Sequence, residues 1–381
     1  VDHFVLNEAE ITLPLLLKDL KVGTPKRVYA TDEYPDISKT PIPLWSLLEM
    51  NKYAAMNLQY SRGCPYNCEF CSITKLNGRE PRTKSREQFL DELTSLYNAG
   101  WRGGVFIVDD NFIGNKRKLK ADILPAMIEW MEERNRPFTF TTEASINIAD
   151  DDELIDLMVK AGFNSTFIGI ETPNNESLAE CGKTVNLNRD IISSVKKLQQ
   201  RGFIVSGGFI VGFDNDPPDI FKRQINLIQK SGIVTAMVGL LNAPKGSRLY
   251  HRLYGENRII GIMSGDNMDG STNFIPKMNY SQLITGYKGI LRFIYSQKNY
   301  YERVKTFLKE YSQPLINTKV PSFSDIHALF RSVWKMGIFE KGRWYYWKLF
   351  FYSLFKQTKK FPLAVTLAIY GFHFRRVVES I

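Results

Sequence analysis

The chain has 381 residues, of which 44% are hydrophobic, and this is ample for a large core and for more than one domain. Its formal net charge is +10, but the excess is regional, because residues 341–381 carry eight basic side chains and only one acidic side chain, Glu379. The longest apolar stretch, 361–370, falls far short of the ~18 residues that span a bilayer, so no membrane-spanning helix is predicted. Only four cysteines occur, three of them close together, which favours a reducing, cytoplasmic compartment.

Residues 1–45 are predicted to form a short strand at 4–6, a helix at 8–20 and a connector. Pro35, Pro41 and Pro43 interrupt regular structure in that connector. The sequence begins with Val1 rather than Met. We therefore expect a fragment or a processed chain whose natural protein continues upstream.

Three cysteines, Cys64, Cys68 and Cys71, lie in one short loop. Thiolates are the usual ligands of iron–sulfur clusters, and a four-iron cluster held by three of them keeps one iron open for chemistry. A zinc site usually takes four Cys and His ligands, but none of the four histidines is near this loop, and Cys181 is more than a hundred residues away. A disulfide would leave an odd thiol. The loop therefore predicts an iron–sulfur site, and Cys181 is expected to be a buried apolar thiol.

From about residue 51 the sequence alternates between apolar runs and amphipathic segments, which predicts six βα units and a parallel sheet. Six strands fit an α/β fold with a partial (βα)6 barrel better than a closed eight-stranded barrel, and active sites of barrels lie at the carboxyl ends of the strands. The predicted strands are 55–60, 105–108, 138–142, 166–170, 204–211 and 236–241, and the predicted helices are 86–98, 119–134, 151–161, 189–201 and 218–230. Asp150 or Asp151 is expected to cap the third of these helices.

Polar or glycine-rich residues follow the predicted strands, and packing alone does not explain all of them together. They are Asp109, Asp110 and Asn111 after the second strand, Glu143 and Ser145 after the third, Glu171 after the fourth, and the run Gly207–Phe213 in the fifth. After residue 250 the alternation stops. Residues 251–381 are predicted to be mostly helical, with helices at 283–296 and 300–310 and a turn-rich connector at 265–270.

The cysteine loop resembles the signature of the radical S-adenosylmethionine (SAM) enzymes, in which an aromatic residue, here Phe70, precedes the third cysteine. The resemblance implies a [4Fe-4S] cluster held by Cys64, Cys68 and Cys71. It also implies reductive cleavage of SAM to a 5′-deoxyadenosyl radical, which takes a hydrogen atom from an unactivated carbon.

The resemblance further implies SAM-binding roles for the residues that follow the strands. Asp109, Asp110 and Asn111 occupy the place of the motif that holds the methionine amino group, where Gly-Gly-Glu is commoner. Glu143 and Ser145 lie where ribose hydroxyls are held, and Glu171 is a candidate for the methionine or ribose end. Backbone and small apolar groups that meet adenine are expected at Ile210, Val211 and Gly212.

The chain is still more similar to the cobalamin-dependent branch, and within it to the hopanoid C-2 methylase group. The segments that carry this similarity are Arg82–Ser85, Val108–Lys116, Thr142–Ser145, Gly169–Pro173, Gly207–Asp214, Ala236–Leu241 and Tyr300–Arg303. The similarity implies cobalamin as a further cofactor, methylation of a lipid-like substrate, and an electron donor such as flavodoxin or ferredoxin.

The cobalamin motif Asp-x-His-x-x-Gly of that branch does not occur in this sequence. Residues 1–20, including Glu8, resemble only the last strand and helix of the cobalamin-binding domain, which is therefore expected upstream of Val1. The expected organisation is the end of that domain with a linker at 1–45, the radical SAM partial barrel at 46–250 and a helical accessory domain at 251–381.

The basic, aromatic tail allows two interpretations. The first is a pair of helices that pack on the barrel. The second is an interfacial helix on anionic lipid, with peripheral membrane association of a cytoplasmic enzyme. Nucleic acid is a weaker third partner, because no recognised binding motif accompanies the charge.

Two other functions remain open at this point. The first is a radical SAM enzyme that rearranges, cyclises or oxidises its substrate without methyl transfer. The second is a non-catalytic iron–sulfur electron carrier or scaffold, which would leave the polar residues after the strands unexplained.

Overall fold

The computed structural model describes residues 1–266, 269–313 and 323–380. These residues form two compact units. The first contains residues 1–67 and 71–143, and the second contains residues 68–70 and 144–381. The short segment Cys68–Phe70 in the middle of the cysteine loop therefore groups with the second unit, although its neighbours in the chain belong to the first.

The first unit begins with a small βαβ element and continues with two βα repeats and a final strand. Its strands are β1 (Phe4–Val5), β2 (Val28–Tyr29), β3 (Ala55–Leu58), β4 (Ser61–Arg62), β5 (Arg82–Thr83), β6 (Gly103–Ile107) and β7 (Phe138–Glu143). Its helices are α1 (Ala9–Lys21), α2 (Ile73–Leu76), α3 (Arg86–Asn98), α4 (Lys116–Lys118) and α5 (Leu124–Glu133), and a π-helical turn (Leu119–Ile123) joins α4 to α5.

Parallel pairing organises this unit, with β6 between β3 and β7. Strand β7 alternates buried and half-buried residues because its side chains point to opposite faces of the sheet. Helix α3 begins at Ser85, whose hydroxyl accepts a hydrogen bond from Gln88 N, and it buries Phe89, Leu93 and Leu96 at helical spacing. Two further pairs are short: β4 pairs antiparallel with β5, and β1 pairs parallel with β2.

The second unit contains three parallel strands and a larger helical part. Its strands are β8 (Phe163–Glu171), β9 (Ile204–Val211) and β10 (Ala236–Leu240), with β9 in the middle. Its helices are α6 (Asp152–Ala161), α7 (Asn175–Glu180), α8 (Ile191–Gln200), α9 (Ile220–Ser231), α10 (Arg248–Gly255), α11 (Tyr280–Ile294), α12 (Gln297–Glu310), α13 (Phe323–Ser332), α14 (Arg343–Lys356) and α15 (Phe361–Glu379). All six predicted strands and the predicted helical C-terminal region are thus confirmed.

Buried polar contacts fix the helical part to the strands of this unit. Arg303 in α12 is 1% exposed, and it donates to the backbone oxygens of Ile294 and Val234. The hydroxyl of Tyr295 donates to Ala236 O at the start of β10. In the same unit, Asp151 caps α6 by accepting from Leu154 N, which settles the choice between Asp150 and Asp151.

The basic, aromatic tail forms the helices α14 and α15, and it packs within the second unit. Tyr300 in α12 donates to Leu367 O at 2.7 Å, and the Tyr295 and Phe374 rings lie 5.1 Å apart. Trp344 and Phe355 remain about three-quarters exposed. Among the described residues no helix is long and apolar enough to cross a membrane. Part of the connector predicted at 265–270, residues 267–268, lies outside the described residues.

Candidate functional site

The cysteine loop carries three thiols that form no disulfide, of which Cys68 is buried while Cys64 and Cys71 are half-buried. Gly63 precedes the first of them and adopts a φ of +98°, where an added Cβ would lie 2.9 Å from the backbone oxygens of Asn77 and Glu80. The loop can enter at this point only with glycine.

The side chains of this loop are of the type that iron–sulfur clusters take as ligands. Within the described ranges, no group of three or more His, Cys, Asp or Glu side chains could hold one ion. In a four-iron cluster, by contrast, each thiolate binds a different iron. Three cysteine thiols in one loop, outside any disulfide, are the donor set that such a cluster takes, so the residues fit the implied group.

Asp109 and Asp110, directly after β6, hold the segment that leads into the cysteine loop. Asp109 is buried and accepts from Tyr60 N at 2.7 Å, Ser61 N at 2.8 Å and Ser61 Oγ at 2.6 Å. Burial raises the pKa of Asp109 to about 7. Asp110 Oδ2 accepts from Gly63 N at 2.9 Å and from the Asn77 side chain at 2.9 Å. Both carboxylates therefore accept hydrogen bonds from the backbone that leads to Cys64 and hold it in place.

Three further predicted site residues follow β6 and β7: Asn111 and Ser145 are buried, and Glu143 is half-buried. Asn111 is 3% exposed, and its backbone oxygen accepts from Gly114 N. Glu143 ends β7, and its pKa is raised by burial and by the nearby charge of Asp110. In the second unit, Ser145 donates to Asn147 Oδ1 at 2.7 Å.

Glu171 and the end of β9 are joined by one glutamine. Glu171 is 6% exposed, has a φ of +64° at a bulge in β8, and pairs with Lys183 Nζ at 3.0 Å. Gln224 in α9 donates to both Glu171 O and Ile210 O at 2.9 Å. Because one amide holds both backbone oxygens, the ends of β8 and β9 have a fixed spacing.

Phe70 and the end of β9 meet in one apolar cluster of the second unit. Its buried members include Cys181 and Phe213, and Phe70 and Ile210 pack against it. The Phe70 and Phe213 rings meet edge to face, with centroids 6.3 Å apart. Val211 is buried, and Gly212, with a φ of +107°, donates its N–H to Asp216 Oδ2 at 2.8 Å. Phe70 and Ile210, two predicted site residues, thus pack on the same cluster, and Cys181 is the buried thiol that was predicted.

Sequence analysis missed an ion-pair network around the cysteine loop. Glu69, between two site residues, forms a bidentate pair with Arg252 in α10, at 2.8 and 3.0 Å. Arg252 also reaches Asp214 at 3.1 Å, and Asp214 pairs with Arg258. The presence of Glu69 inside the cysteine motif was the one available signal, because its partner lies 183 positions further along the chain.

A second network that sequence analysis missed lies in the first unit. Glu8, just before α1, accepts from Arg62 in β4 and from Arg82 in β5, and Arg62 also pairs with Glu10 at 2.7 Å. The antiparallel pair β4–β5, whose connection contains the cysteine loop, is therefore tied to the segment at the start of α1.

Two family profiles and several known proteins are similar to this chain over most of its length. The sequence profile of the radical SAM superfamily matches residues 58–228, and a domain of unknown function (DUF4070) matches residues 247–381. An uncharacterized methyltransferase of Synechocystis sp. is 39% identical over 100% of this chain and 71% of its own length. The chain belongs to the radical SAM superfamily.

Two further similarities refine this picture of a radical SAM enzyme. The hopanoid C-2 methylase of Rhodopseudomonas palustris is 37% identical over 72% of this chain, which spans about half (51%) of that relative. A solved structure of the cobalamin-dependent SAM radical enzyme OxsB with aqua-cobalamin bound shares the fold with a TM-score of 0.60 at 17% identity, over 98% of this chain and 64% of that one. The predicted α/β fold and superfamily are confirmed, while the roles of individual site residues and the domain boundaries stay predictions.

Proposed function

We propose that this radical SAM enzyme holds a [4Fe-4S] cluster through Cys64, Cys68 and Cys71 and methylates an unactivated carbon of a lipid-like substrate, with C-2 of a hopanoid as the specific candidate. The observation that carries the proposal is the set of three cysteines, none of them in a disulfide, in one loop of a radical SAM chain. The cluster would supply the electron that cleaves SAM to a 5′-deoxyadenosyl radical.

The chain's own residues would position the reactants. Asp109 and Asp110 hold the approach to Cys64 through the backbone N–H groups of Tyr60, Ser61 and Gly63. Since both oxygens of Asp109 are already engaged there, the methionine amino group of SAM would be met by backbone groups of 109–111 and by the remaining oxygen of Asp110. Glu143 and Ser145 would hold the ribose.

The family resemblance assigns the adenine of SAM to the end of β9. Ile210 and Gly212 would offer apolar surface and backbone to the adenine, and Phe70 packs against the same apolar cluster as Ile210. Glu171 pairs with Lys183. We therefore assign the Glu171–Lys183 pair, and not the carboxylate alone, to the methionine or ribose end of SAM.

Methyl transfer and cobalamin are supported by the relatives. The Synechocystis relative is named a methyltransferase and the Rhodopseudomonas relative a hopanoid C-2 methylase. OxsB, which shares the fold over nearly all of this chain, contains cobalamin. We infer that one SAM yields the radical and a second remethylates cobalamin, with reducing electrons from a flavodoxin or ferredoxin.

The N-terminal segment supports a further domain. Strands β1 and β2 form a parallel pair, and in the described part of the chain that sheet has no further strand. Parallel sheets are normally buried on both faces. Leu13, Leu15 and Leu17 of α1 are nevertheless 41–50% exposed. We propose that residues 1–45 complete a cobalamin-binding domain, followed by the catalytic barrel at 46–250 and the helical domain at 251–381.

The first test is anaerobic reconstitution with iron and sulfide, followed by measurement of bound iron and of 5′-deoxyadenosine after addition of SAM and a strong reductant. The variant with Cys64, Cys68 and Cys71 all replaced by Ala should bind no cluster and form no product. Cys181→Ala is the matched control, because it removes a thiol outside the loop, and it should behave as wild type. Full 5′-deoxyadenosine formation by the triple variant would refute the proposal.

Methyl-labelled SAM separates the remaining candidates. Label in the product of a hopanoid substrate, with cobalamin and a chain extended upstream, supports methyl transfer. SAM cleavage with an unlabelled, altered product supports rearrangement, cyclisation or oxidation. A cluster without SAM cleavage, even in the extended chain, supports a non-catalytic iron–sulfur protein.

The partner on the substrate side follows from the same proposal. A polycyclic lipid would be delivered from a membrane surface, and the exposed Trp344 and Phe355 beside the basic residues of the tail suit peripheral contact with anionic lipid. Co-sedimentation with anionic and with neutral vesicles tests this, and equal binding to both would oppose it.

A further inference from the structure

Glu69, between Cys68 and Phe70, has each of its polar groups bound within the second unit. Its N–H donates to Cys181 O at 2.7 Å, and its backbone oxygen accepts from Leu249 N at 2.9 Å. Its carboxylate, 10% exposed, receives both Nε and Nη2 of Arg252. A paired fork of this kind fixes direction as well as distance. The backbone and the side chain of this residue are therefore both held in place.

Helix α10 supplies most of that hold. Leu249 N and the Arg252 side chain both come from its eight residues, and Leu249 and Leu253 belong to the apolar cluster on which Phe70 packs. The helix begins at Ser247, whose hydroxyl accepts from Tyr250 N. Since α10 lies at the start of the matched domain of unknown function, 247–381, that domain directly contacts the segment 68–70.

Arg252 also joins the segment to the end of β9 and to α7. Its Nη1 reaches Asp214 Oδ2 at 3.1 Å, and its Nη2 reaches Glu180 Oε1 at 3.5 Å. Glu180 in turn accepts from the N–H groups of Asp214 and Asn215. A lysine has a single point of attachment and could not contact three carboxylates through separate donors in one plane.

We propose that Arg252 is a positioning residue for the iron–sulfur site, and that one role of the domain of unknown function is to fix Cys68 and Phe70 through the Glu69–Arg252 pair. This inference rests on the proposed role of Cys64, Cys68 and Cys71 as cluster ligands. Arg252 acts through Glu69 and touches no reacting atom. Without the pair, Cys68 would sample other positions, and the cluster would be bound less completely and in a less uniform environment.

A purely architectural ion pair makes a different prediction. If Arg252 only helps the second unit to fold, its loss should lower the unfolding temperature without a selective change at Cys68. Arg258 provides the matched control, because it pairs with Asp214 and Glu256 in the same network but does not contact Glu69.

The first measurement uses the full chain before iron is added. Alkylation rates of Cys68 and Cys181 are followed by mass spectrometry in wild type, Arg252→Gln, Arg252→Lys, Glu69→Gln and Arg258→Gln. Cys181 is 2% exposed and reports opening of the apolar cluster on which Phe70 packs. We expect Arg252→Gln and Glu69→Gln to raise the Cys68/Cys181 rate ratio at least about tenfold, because each removes one partner of a largely buried pair. Arg252→Lys should fall between, and Arg258→Gln should leave the ratio unchanged.

The second measurement uses reconstituted protein. We expect Arg252→Gln to bind less iron and to give a broadened electron paramagnetic resonance signal from the reduced cluster, with a smaller change when SAM is added. The double variant Glu69→Gln/Arg252→Gln should be no worse than either single variant, because both remove the same contact.

The outcomes separate this inference from the proposed function. If wild type takes up no cluster, the proposed site fails and the inference fails with it. If wild type does take up a cluster, but Arg252→Gln matches it in the Cys68/Cys181 ratio and in the resonance signal, only the positioning role is overturned. An equal change in Arg258→Gln would likewise overturn it, since that result assigns the effect to the whole network.

Discussion

Replacement of Gly63 by alanine tests whether the approach to the cysteine loop needs a residue without a side chain. An L-residue at a φ of +98° is strained by about 1–2 kcal/mol before any contact is counted. The new Cβ would also lie 2.9 Å from two backbone oxygens and 3.1 Å from a third, and such overpacking costs about a further 1–3 kcal/mol. We therefore expect Gly63→Ala to lower the free energy of unfolding by about 2–5 kcal/mol.

Gly100→Ala is the matched control in the same unit. Gly100 has a φ of +92°, but nothing lies within 4 Å of its added Cβ. This variant should show only the backbone part, about 1–2 kcal/mol. Urea unfolding of the iron-free chain measures both values, and iron content after reconstitution reports on the loop. Equal destabilisation by the two variants, together with full iron binding by Gly63→Ala, would refute the argument that the nearby backbone oxygens of Asn77, Gly78 and Glu80 require glycine at this position.

Three further predictions concern buried groups. Glu8→Ala leaves the guanidinium groups of Arg62 and Arg82 without their shared carboxylate and should lower the free energy of unfolding by about 2–3 kcal/mol. Glu10→Ala removes a more exposed pair and should lower it by about 1 kcal/mol or less. Urea unfolding measures both values, and equal values would contradict the assignment. Burial raises the pKa of the Cys181 thiol to about 12, so at about pH 8 only roughly one molecule in 10,000 carries the thiolate. Iodoacetamide should therefore label Cys181 far more slowly in the folded chain than after denaturation, and equally rapid labelling of the folded chain would contradict this. The pKa of Asp109 is raised to about 7, against an ordinary 3.8, so between these values the folded chain keeps a proton that the unfolded chain has lost. The contribution of Asp109 to the free energy of unfolding should therefore fall by a few kcal/mol between about pH 4 and pH 7 and then level off. Asp109→Asn should remove that slope from urea-unfolding data, and an unchanged slope would count against the argument.

The strands could be predicted from the sequence because their apolar runs are short, regular and separated by amphipathic helices. Their ends could not be predicted as well. Strand β3 was expected to reach Tyr60 but ends at Leu58. The reason is that the N–H groups of Tyr60 and Ser61 donate to the Asp109 carboxylate instead of continuing the ladder with β6. A strand that ends on a side chain 49 positions away leaves no local signal.

Helix α5 shows a similar limit. The sequence predicted one helix at 119–134, whereas the structure has a helical start at Lys116, a π-helical turn at Leu119–Ile123 and a regular end at Glu133. The apolar spacing is compatible with both descriptions. A single extra residue in a turn depends on packing that the pattern of side chains does not record.

In the candidate site, too, local features could be predicted from the sequence and long-range contacts could not. The cysteine spacing and Phe70 are local, and they could be recognised at once. The function of Asp109 could not, because the sequence places an acidic residue at a strand end without saying whether it faces a ligand or a backbone. The Glu69–Arg252 pair was invisible for a stronger reason: its two members belong to segments whose proximity only the fold creates.

In both units, carboxylates hold the backbone of the cysteine loop through contacts between residues that are distant in sequence. In the first unit, Asp109 and Asp110 accept from the backbone that leads to Cys64, and in the second unit Glu69 fixes the segment around Cys68. Small metal domains fold only when the metal supplies the free energy for ordering. Here each unit provides that order through its own hydrogen bonds and ion pairs. Less of the free energy of cluster binding is then consumed in folding the loop, and a site that must keep one iron open can bind tightly with three protein ligands instead of four.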